Sequence, residues 1–197
     1  MPEIVLTEDA VASPDDGALI AALGPRSVVL VGMMGSGKSS IGRRLAVPFV
    51  DADAEIEAAA DGMTIAEIFE KHGEPYFRAG EARVIARLLD HGPQVLATGG
   101  GAFMNRDTRA LIGQKGVSIW LKAELDVLMK RIKRRNDRPL LKSGDPAATL
   151  TALIAERYPV YAEADLTVLS RDVPHEAIVD EIVAALHQRV AGAGGGP

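Results

Sequence analysis

The chain has 197 residues, of which 47% are apolar and 25% charged, a balance that supports one globular domain and excludes a disordered or collagen-like chain. Acids outnumber Lys and Arg by 27 to 22, so the formal charge of -5 disfavours non-specific nucleic-acid binding, and any anion site has to be a local concentration of positive charge. Cysteine is absent, which excludes disulfides, thiolate catalysis, iron–sulfur clusters and cysteine-based zinc sites.

Residues 1–26 carry five acids and a single Arg, with no charged start leading into an apolar run, and read as a loosely ordered acidic extension. Within it Gly17 to Leu23 is a candidate short helix, bracketed by Pro14, Gly24 and Pro25. No apolar run reaches the ~20 residues of a membrane span, so a cytoplasmic protein without a membrane partner is expected. Strand candidates follow at Ser27 to Val31, Phe49 to Val50, Val95 to Ala97, Val117 to Leu121 and Leu166 to Val168. Helical patterns fill the gaps: Lys38 to Ala46, Asp53 to Ala60, Thr64 to Lys71, Pro75 to Asp90, Asn105 to Ile112, Ala123 to Arg134, Ala147 to Tyr158 and Pro174 to Val190. Thr64 with Glu67 forms a capping-box signature, and Asn105 is placed to cap its own helix. Residues 191–197 are nearly all Gly and Ala and read as a flexible tail. Strands apolar on both faces and separated by helices imply an α/β domain over residues 27–190: a parallel sheet with helices on both sides. In such sheets ligands bind beyond the carboxyl ends of the strands.

The first strand runs into Gly32-Met33-Met34-Gly35-Ser36-Gly37-Lys38-Ser39, which fits G-x-x-x-x-G-K-[ST] between a strand and a helix, the context a P-loop requires. Its backbone N–H groups, from Gly35 through Ser40, would face phosphate oxygens, with Lys38 on the β/γ phosphates and Ser39 on Mg²⁺. The second strand leads into Asp51-Ala52-Asp53, two acids at i and i+2. Either one sits near the metal while the other faces an acceptor hydroxyl, or Asp53 simply caps the next helix. The third strand ends in Thr98-Gly99-Gly100-Gly101, where missing side chains let a ligand lie against the backbone, although a Gly run is also just a turn. The basic run Lys130 to Arg138 reads either as a nucleic-acid patch or as a solvated helix end. Arg138 lies in an aperiodic segment with Pro139, Gly144 and Pro146, as a lid closing over phosphates would. Taken singly, Arg78 and Arg157 read as ordinary surface arginines.

Taken in order, GMMGSGKSSIGRRLA, FVDADAEIE, GEPYFRAGE, VLATGGGA, RPLL and ERYPVY resemble the shikimate kinase family from about Val28 to Leu186. The resemblance implies a P-loop NTPase fold of the nucleoside monophosphate kinase type, with a five-stranded parallel sheet. It also implies transfer of the γ-phosphoryl group of ATP to the 3-hydroxyl of shikimate, on the route to chorismate and the aromatic amino acids. Asp53, Arg78, Gly99, Gly100, Gly101 and Arg157 are then the shikimate-binding residues, with Asp53 also able to take the proton. Gly35, Ser36, Gly37, Lys38, Ser39, Ser40, Arg131 and Arg138 bind ATP, Arg131 beside the adenine and Arg138 on a lid at about 135–147. Ser39 and Asp51 are the Mg²⁺ residues, and Lys38, Asp53 and Arg138 the catalytic set. Ser170 to Pro174 falls where an adenine loop belongs. A monomer that binds ATP and shikimate but no nucleic acid is expected. In one place the chain departs from the family: Leu45-Ala46-Val47-Pro48-Phe49 is about one helical turn shorter than usual. A turn of helix advances ~5–6 Å, so Asp51 and Asp53 reach the site only if this connection is recast. Two other readings share the motifs: another small-molecule kinase acting on gluconate or a nucleoside monophosphate, and a P-loop module that binds nucleotide or RNA through the basic run.

Overall fold

The computed structural model describes residues 23–45, 47–134 and 145–193. Five strands, β1 (Ser27–Val31), β2 (Phe49–Asp51), β3 (Val95–Ala97), β4 (Gly116–Lys122) and β5 (Leu166–Leu169), form one sheet in the order β2-β3-β1-β4-β5. Every pairing is parallel; Val28, for example, is in register with Val95 on one side and Val117 on the other.

The alternation of side chains along a strand explains why both faces of this sheet are apolar. Val28 and Leu30 of β1, with Val117, Ile119 and Leu121 of β4, face helices α1 (Lys38–Gly42) and α7 (His175–Ala193), where Ile41, Ile178, Ile182 and Leu186 complete a dry layer. Val29 and Val31, with Leu96 and Trp120, face the other way. There they meet side chains from α2 (Ala52–Ala59), α3 (Ile65–Leu89), α4 (Arg106–Lys115), α5 (Leu125–Lys133) and α6 (Pro146–Tyr161), among them Ile56, Phe77, Ile85, Ile112, Leu128 and Tyr161. Each fully buried aliphatic or aromatic side chain contributes about 1.5–3 kcal/mol. The three-layer architecture expected from the sequence is therefore the architecture present. From β1 the chain crosses to β2 on one side of the sheet, and after β3 it crosses to β4 on the other. The carboxyl ends of β1, β2 and β3 consequently border one crevice.

Local signals fix most element ends. Thr64 and Glu67 make the capping box, with Thr64 N–H donating to Glu67 Oε2 at 2.7 Å and Glu67 N–H to Thr64 Oγ1 at 3.3 Å. Asn105 Oδ1 accepts from the Asp107 and Thr108 N–H groups at 2.9 and 3.0 Å. The two helices expected at Thr64 to Lys71 and Pro75 to Asp90 are the two arms of α3, separated at Gly73, whose φ of 78° breaks the helical path. A short 3₁₀ turn at Ala102–Met104, not foreseen, follows the glycine run. α7 continues to Ala193, three residues past the boundary expected at Val190; alanine is the strongest helix former and does not stop it. Of the candidate helix Gly17 to Leu23, only Leu23 is described, and it is buried in the α1/α7 layer.

The largest difference from expectation lies after the phosphate loop. The helix expected over Lys38 to Ala46 ends at Gly42. The Phe49 ring occupies the space beside Gly42, where an added Cβ would come within 2.4 Å of Phe49 Cε2. The chain turns at Arg43 and Arg44, and β2 begins at Phe49, whose ring packs on Gly42. This recasts the short connection and carries Asp51 to the P-loop.

Candidate active site

The phosphate-loop end of the crevice is built almost entirely from one segment. Gly35 and Gly37 have φ of 81° and 97°, in the left-handed region that side chains resist. Lys38 folds back over the loop, its Nζ donating to the Gly32 and Met33 carbonyls at 2.8 and 3.0 Å. Ser39 Oγ donates to Asp51 Oδ2 at 2.8 Å, while Asp51 Oδ1 accepts the Asp53 N–H at 3.1 Å and so caps α2. Asp51, rather than Asp53, is thus the helix cap, which leaves the Asp53 carboxylate to face the crevice. Two hard oxygen donors, Ser39 Oγ in the first turn of α1 and Asp51 Oδ2 at the end of β2, are the donor chemistry Mg²⁺ favours.

Arg131 on α5 closes the loop from the far side. Its Nη1 donates to the Gly35 and Ser36 carbonyls at 3.2 and 3.3 Å and to Ser170 Oγ at 2.8 Å, and its Nη2 donates to the Arg171 carbonyl at 2.5 Å. Ser170 Oγ in turn donates to the Ser36 carbonyl at 2.8 Å. This ties the Ser170 to Pro174 segment to the phosphate loop. Burial holds the Arg131 pKa below its ordinary value, with the charge of Asp172 opposing the shift and that of Arg134 adding to it. A cleft of about 320 Å³ connects the two ends, bordered by Lys38, Asp53, Gly100, Arg131, Val173 and His175 among others. Its size suits a ligand larger than a phosphate group.

The second end of the crevice gathers side chains from separate elements around Gly99 to Gly101. A Cβ placed on Gly101 would lie 2.5 Å from both Arg78 Nη atoms; on Gly100 it would lie 3.1 Å from Arg157 Nη1. On Gly99 it would lie 2.9 Å from both Asp53 Oδ1 and Glu81 Oε1. A side chain at Gly99 or Gly101 would collide with these carboxylates or with the Arg78 guanidinium, and one at Gly100 would press on Arg157. Arg78 comes from the second arm of α3, Arg157 from α6 and Asp53 from the first turn of α2. Neither arginine is the freely solvated surface residue it reads as singly. Arg157 Nε is buried without a hydrogen-bond partner among the described residues. Arg78 Nη1 is paired with Glu81 Oε2 at 2.7 Å.

Glu81 is a residue that sequence reasoning passed over. It is 3% exposed, and its Oε1 is buried without a hydrogen-bond partner among the described residues. Burial raises its pKa above the ordinary carboxylate value; Arg78 opposes the rise and the charge of Asp53 adds to it. For Arg78, burial works against the charge, but hydrogen bonds and charges from Glu81 and Glu74 outweigh it and raise the pKa. The sequence does carry a signal for this pair: Arg78 and Glu81 stand at i and i+3 on one helix. Glu81 also interrupts a buried stripe of Phe77, Val84, Ile85 and Leu88. Tyr161, the last residue of ERYPVY and also passed over, is 0% exposed and donates its O–H to the Gly100 carbonyl. Arg138, expected on the lid, lies outside the described residues. Among the described residues no helix is long and apolar enough to cross a membrane.

A parallel sheet in this order, with a phosphate-binding loop after its central strand and an arginine-bordered crevice beside it, defines a P-loop phosphotransferase of the nucleoside monophosphate kinase type. A family model for shikimate kinase matches residues 34–187. A shikimate kinase of Rhodopseudomonas palustris is 64% identical over 197 residues, spanning 98% of this chain and 97% of that protein. One of Bradyrhizobium diazoefficiens is 64% identical over 185 residues, 92% of this chain and 88% of its own length. The solved structure of shikimate kinase from Acinetobacter baumannii in complex with shikimate superposes with a TM-score of 0.80 at 33% identity, covering 88% of this chain and 98% of that one. This chain belongs to the shikimate kinase family. A gluconokinase from Sinorhizobium meliloti, at 22% identity and a TM-score of 0.53, shares the fold alone.

Proposed function

We propose that this chain transfers the γ-phosphoryl group of ATP to the 3-hydroxyl of shikimate, giving shikimate 3-phosphate and ADP, and does so in the cytoplasm with Mg²⁺. The observation that carries the reading is the convergence of Arg78 and Arg157, from two helices, on the Gly99 to Gly101 turn beside Asp53, while Asp53, Gly99 and Gly100 line the same cleft as Lys38. Shikimate offers a carboxylate and three ring hydroxyls. Two guanidinium groups suit the carboxylate, since each makes charge-assisted, paired hydrogen bonds. Asp53 then accepts from ring hydroxyls and holds the acceptor oxygen toward the phosphate loop.

Fixing the acceptor oxygen in line with the γ-phosphorus is the main contribution of these contacts, because orientation alone can lower a barrier by several kcal/mol. Main-chain N–H groups of the phosphate loop and the Lys38 ammonium face the charge that spreads over the phosphoryl oxygens in a loose transition state. Lys38 starts from the Gly32 and Met33 carbonyls, 2.8 and 3.0 Å away, and exchanges these for phosphate oxygens when ATP binds. Such a transition state asks little of a base, so Asp53 orients first and accepts the hydroxyl proton as the new O–P bond completes. Ser39 and Asp51 would hold Mg²⁺, which supplies positive charge on the phosphate oxygens when bound. Arg131, Val173 and His175 border the other end of the cleft, where the base of ATP would lie.

The experiment is ADP release by the purified protein with ATP and Mg²⁺, with and without shikimate, and with gluconate or a nucleoside monophosphate as competing acceptors. Release that depends on shikimate is expected; release that depends equally on gluconate, or on no acceptor, contradicts the reading.

A further inference from the structure

The Gly99 to Gly101 turn has three carbonyls, and each is taken. Gly99 accepts from the Ala102 N–H at 3.1 Å and Gly101 from the Met104 N–H at 3.1 Å, both within the local 3₁₀ turn. The middle carbonyl, that of Gly100, accepts instead from the Tyr161 hydroxyl, which belongs to α6. Tyr161 stands one helical turn beyond Arg157, so the two side chains leave the same face of the helix. Arg157 Nη1 sits 3.1 Å from the position of a Cβ on Gly100, the residue whose carbonyl Tyr161 holds. The tyrosine also reaches the phosphate loop: its oxygen is 4.0 Å from Met33 Sδ, and the Met33 carbonyl is one of the two that Lys38 donates to. The same Cβ on Gly100 would lie 3.6 Å from the Gly32 carbonyl oxygen and 3.8 Å from Met34 N. The Tyr161 ring is fixed by Phe103, Trp120 and Tyr158, with ring centroids 6.5, 6.0 and 6.2 Å away.

We propose that Tyr161 is a positioning residue for the acceptor site, setting the Gly100 peptide plane through its carbonyl and with it the backbone against which the Arg157 guanidinium rests. A glycine run has little stiffness of its own, since each residue reaches most of backbone space. A hydroxyl anchored in a dry aromatic cluster supplies that stiffness from outside the turn. The hydroxyl's strong bond is to the acceptor turn and its contact with the phosphate loop is only a long one to the Met33 thioether, so its effect falls on the acceptor more than on ATP. This rests on the reading that the crevice binds shikimate.

The test is Tyr161→Phe, which removes one oxygen and keeps the ring. Tyr158→Phe is the control, because Tyr158 loses an analogous hydroxyl-to-carbonyl bond, made to Ala123, away from the glycine turn. The shikimate KM of Tyr161→Phe should rise about tenfold, while its ATP KM changes less than about twofold and Tyr158→Phe leaves both in place. An unchanged shikimate KM, or equal rises for both substrates, overturns the proposal. A second measurement needs no turnover. In ¹H–¹⁵N spectra, Tyr161→Phe should move the amide peaks of Gly99 to Gly101 and leave those of Gly35 and Gly37 in place. Still glycine peaks at 99–101, or movement at both loops alike, overturn the positioning role. If the wild-type protein releases no ADP in response to shikimate, the functional reading fails, and these spectra alone decide whether Tyr161 sets the turn.

Discussion

The two ends of the crevice are made in opposite ways. The phosphate end is one continuous stretch, Gly32 to Ser40, whose shape comes from left-handed glycines and main-chain bonds, with Asp51, Arg131 and Ser170 reaching it from other elements. The acceptor end is assembled from α2, α3, α6 and the glycine turn, and side chains hold its parts: Arg78 is paired with Glu81 one turn along α3, and the Gly100 carbonyl with Tyr161 of α6. A site written in one segment survives changes around it and fails when its own residues change. An assembled site can instead be loosened from several directions without losing the fold.

The sharpest way to break this comparison is at Lys38. Lys38→Ala should lower kcat about a thousandfold with an unchanged far-ultraviolet spectrum, because it removes a cation that faces transition-state charge. Turnover within tenfold of wild type would show that the phosphate end does not depend on this side chain.

Next in size is a stability effect at the seam between the ends. Burial pushes the Tyr161 pKa up to about 12, against a partial lowering by Arg157. The folded state therefore holds this proton more tightly than the unfolded chain, whose tyrosine titrates near 10. The resulting stability is fully present below pH 10 and is lost as pH rises from 10 to 12. The rise from 10.0 to about 12 corresponds to about 3 kcal/mol. Urea unfolding between pH 9 and 12 should show wild type losing that much more than Tyr161→Phe; parallel curves would mean the hydroxyl is not buried in solution.

At the acceptor end, Arg78→Ala and Arg157→Ala should each raise the shikimate KM about a hundredfold and the ATP KM less than threefold. Equal effects on both substrates would erase the distinction between the two ends. A smaller effect is expected at Glu81, where Glu81→Gln keeps an acceptor for Arg78 but removes the charge, so the shikimate KM should rise about fivefold. Stability should move the other way. Because burial raises the Glu81 pKa, its favourable protonated form is fully populated below the unfolded value of 4.5 and is lost as pH climbs through the folded value. The Gln variant should therefore gain on wild type between pH 4.5 and 7 in urea unfolding, and a relative loss would refute the dominance of burial there.

The same contrast explains what the sequence made legible. All five strands are recognisable as short β-branched runs because both sheet faces are covered, and the phosphate loop announces itself because glycines, lysine and serine are contiguous. Arg78 and Arg157 carry no local mark; their meaning lies in contact with a turn far along the chain, and only resemblance to a family assigned them. Glu81 and Tyr161 were harder still, since they act on other protein groups and look like helix residues among many. The short Leu45 to Phe49 connection illustrates the limit of counting residues. Helical advance alone would misplace Asp51, but the helix ends at Gly42, Phe49 packs on that glycine, and the Ser39 to Asp51 hydrogen bond of 2.8 Å forms.

The most direct test of the central claim is a crystal structure of this protein with shikimate and a non-hydrolysable ATP analogue. The account predicts the shikimate carboxylate within about 3 Å of both the Arg78 and Arg157 guanidinium groups, and its 3-hydroxyl between Asp53 and the γ-phosphate. A carboxylate bound elsewhere, or either arginine turned to solvent in that complex, would contradict it.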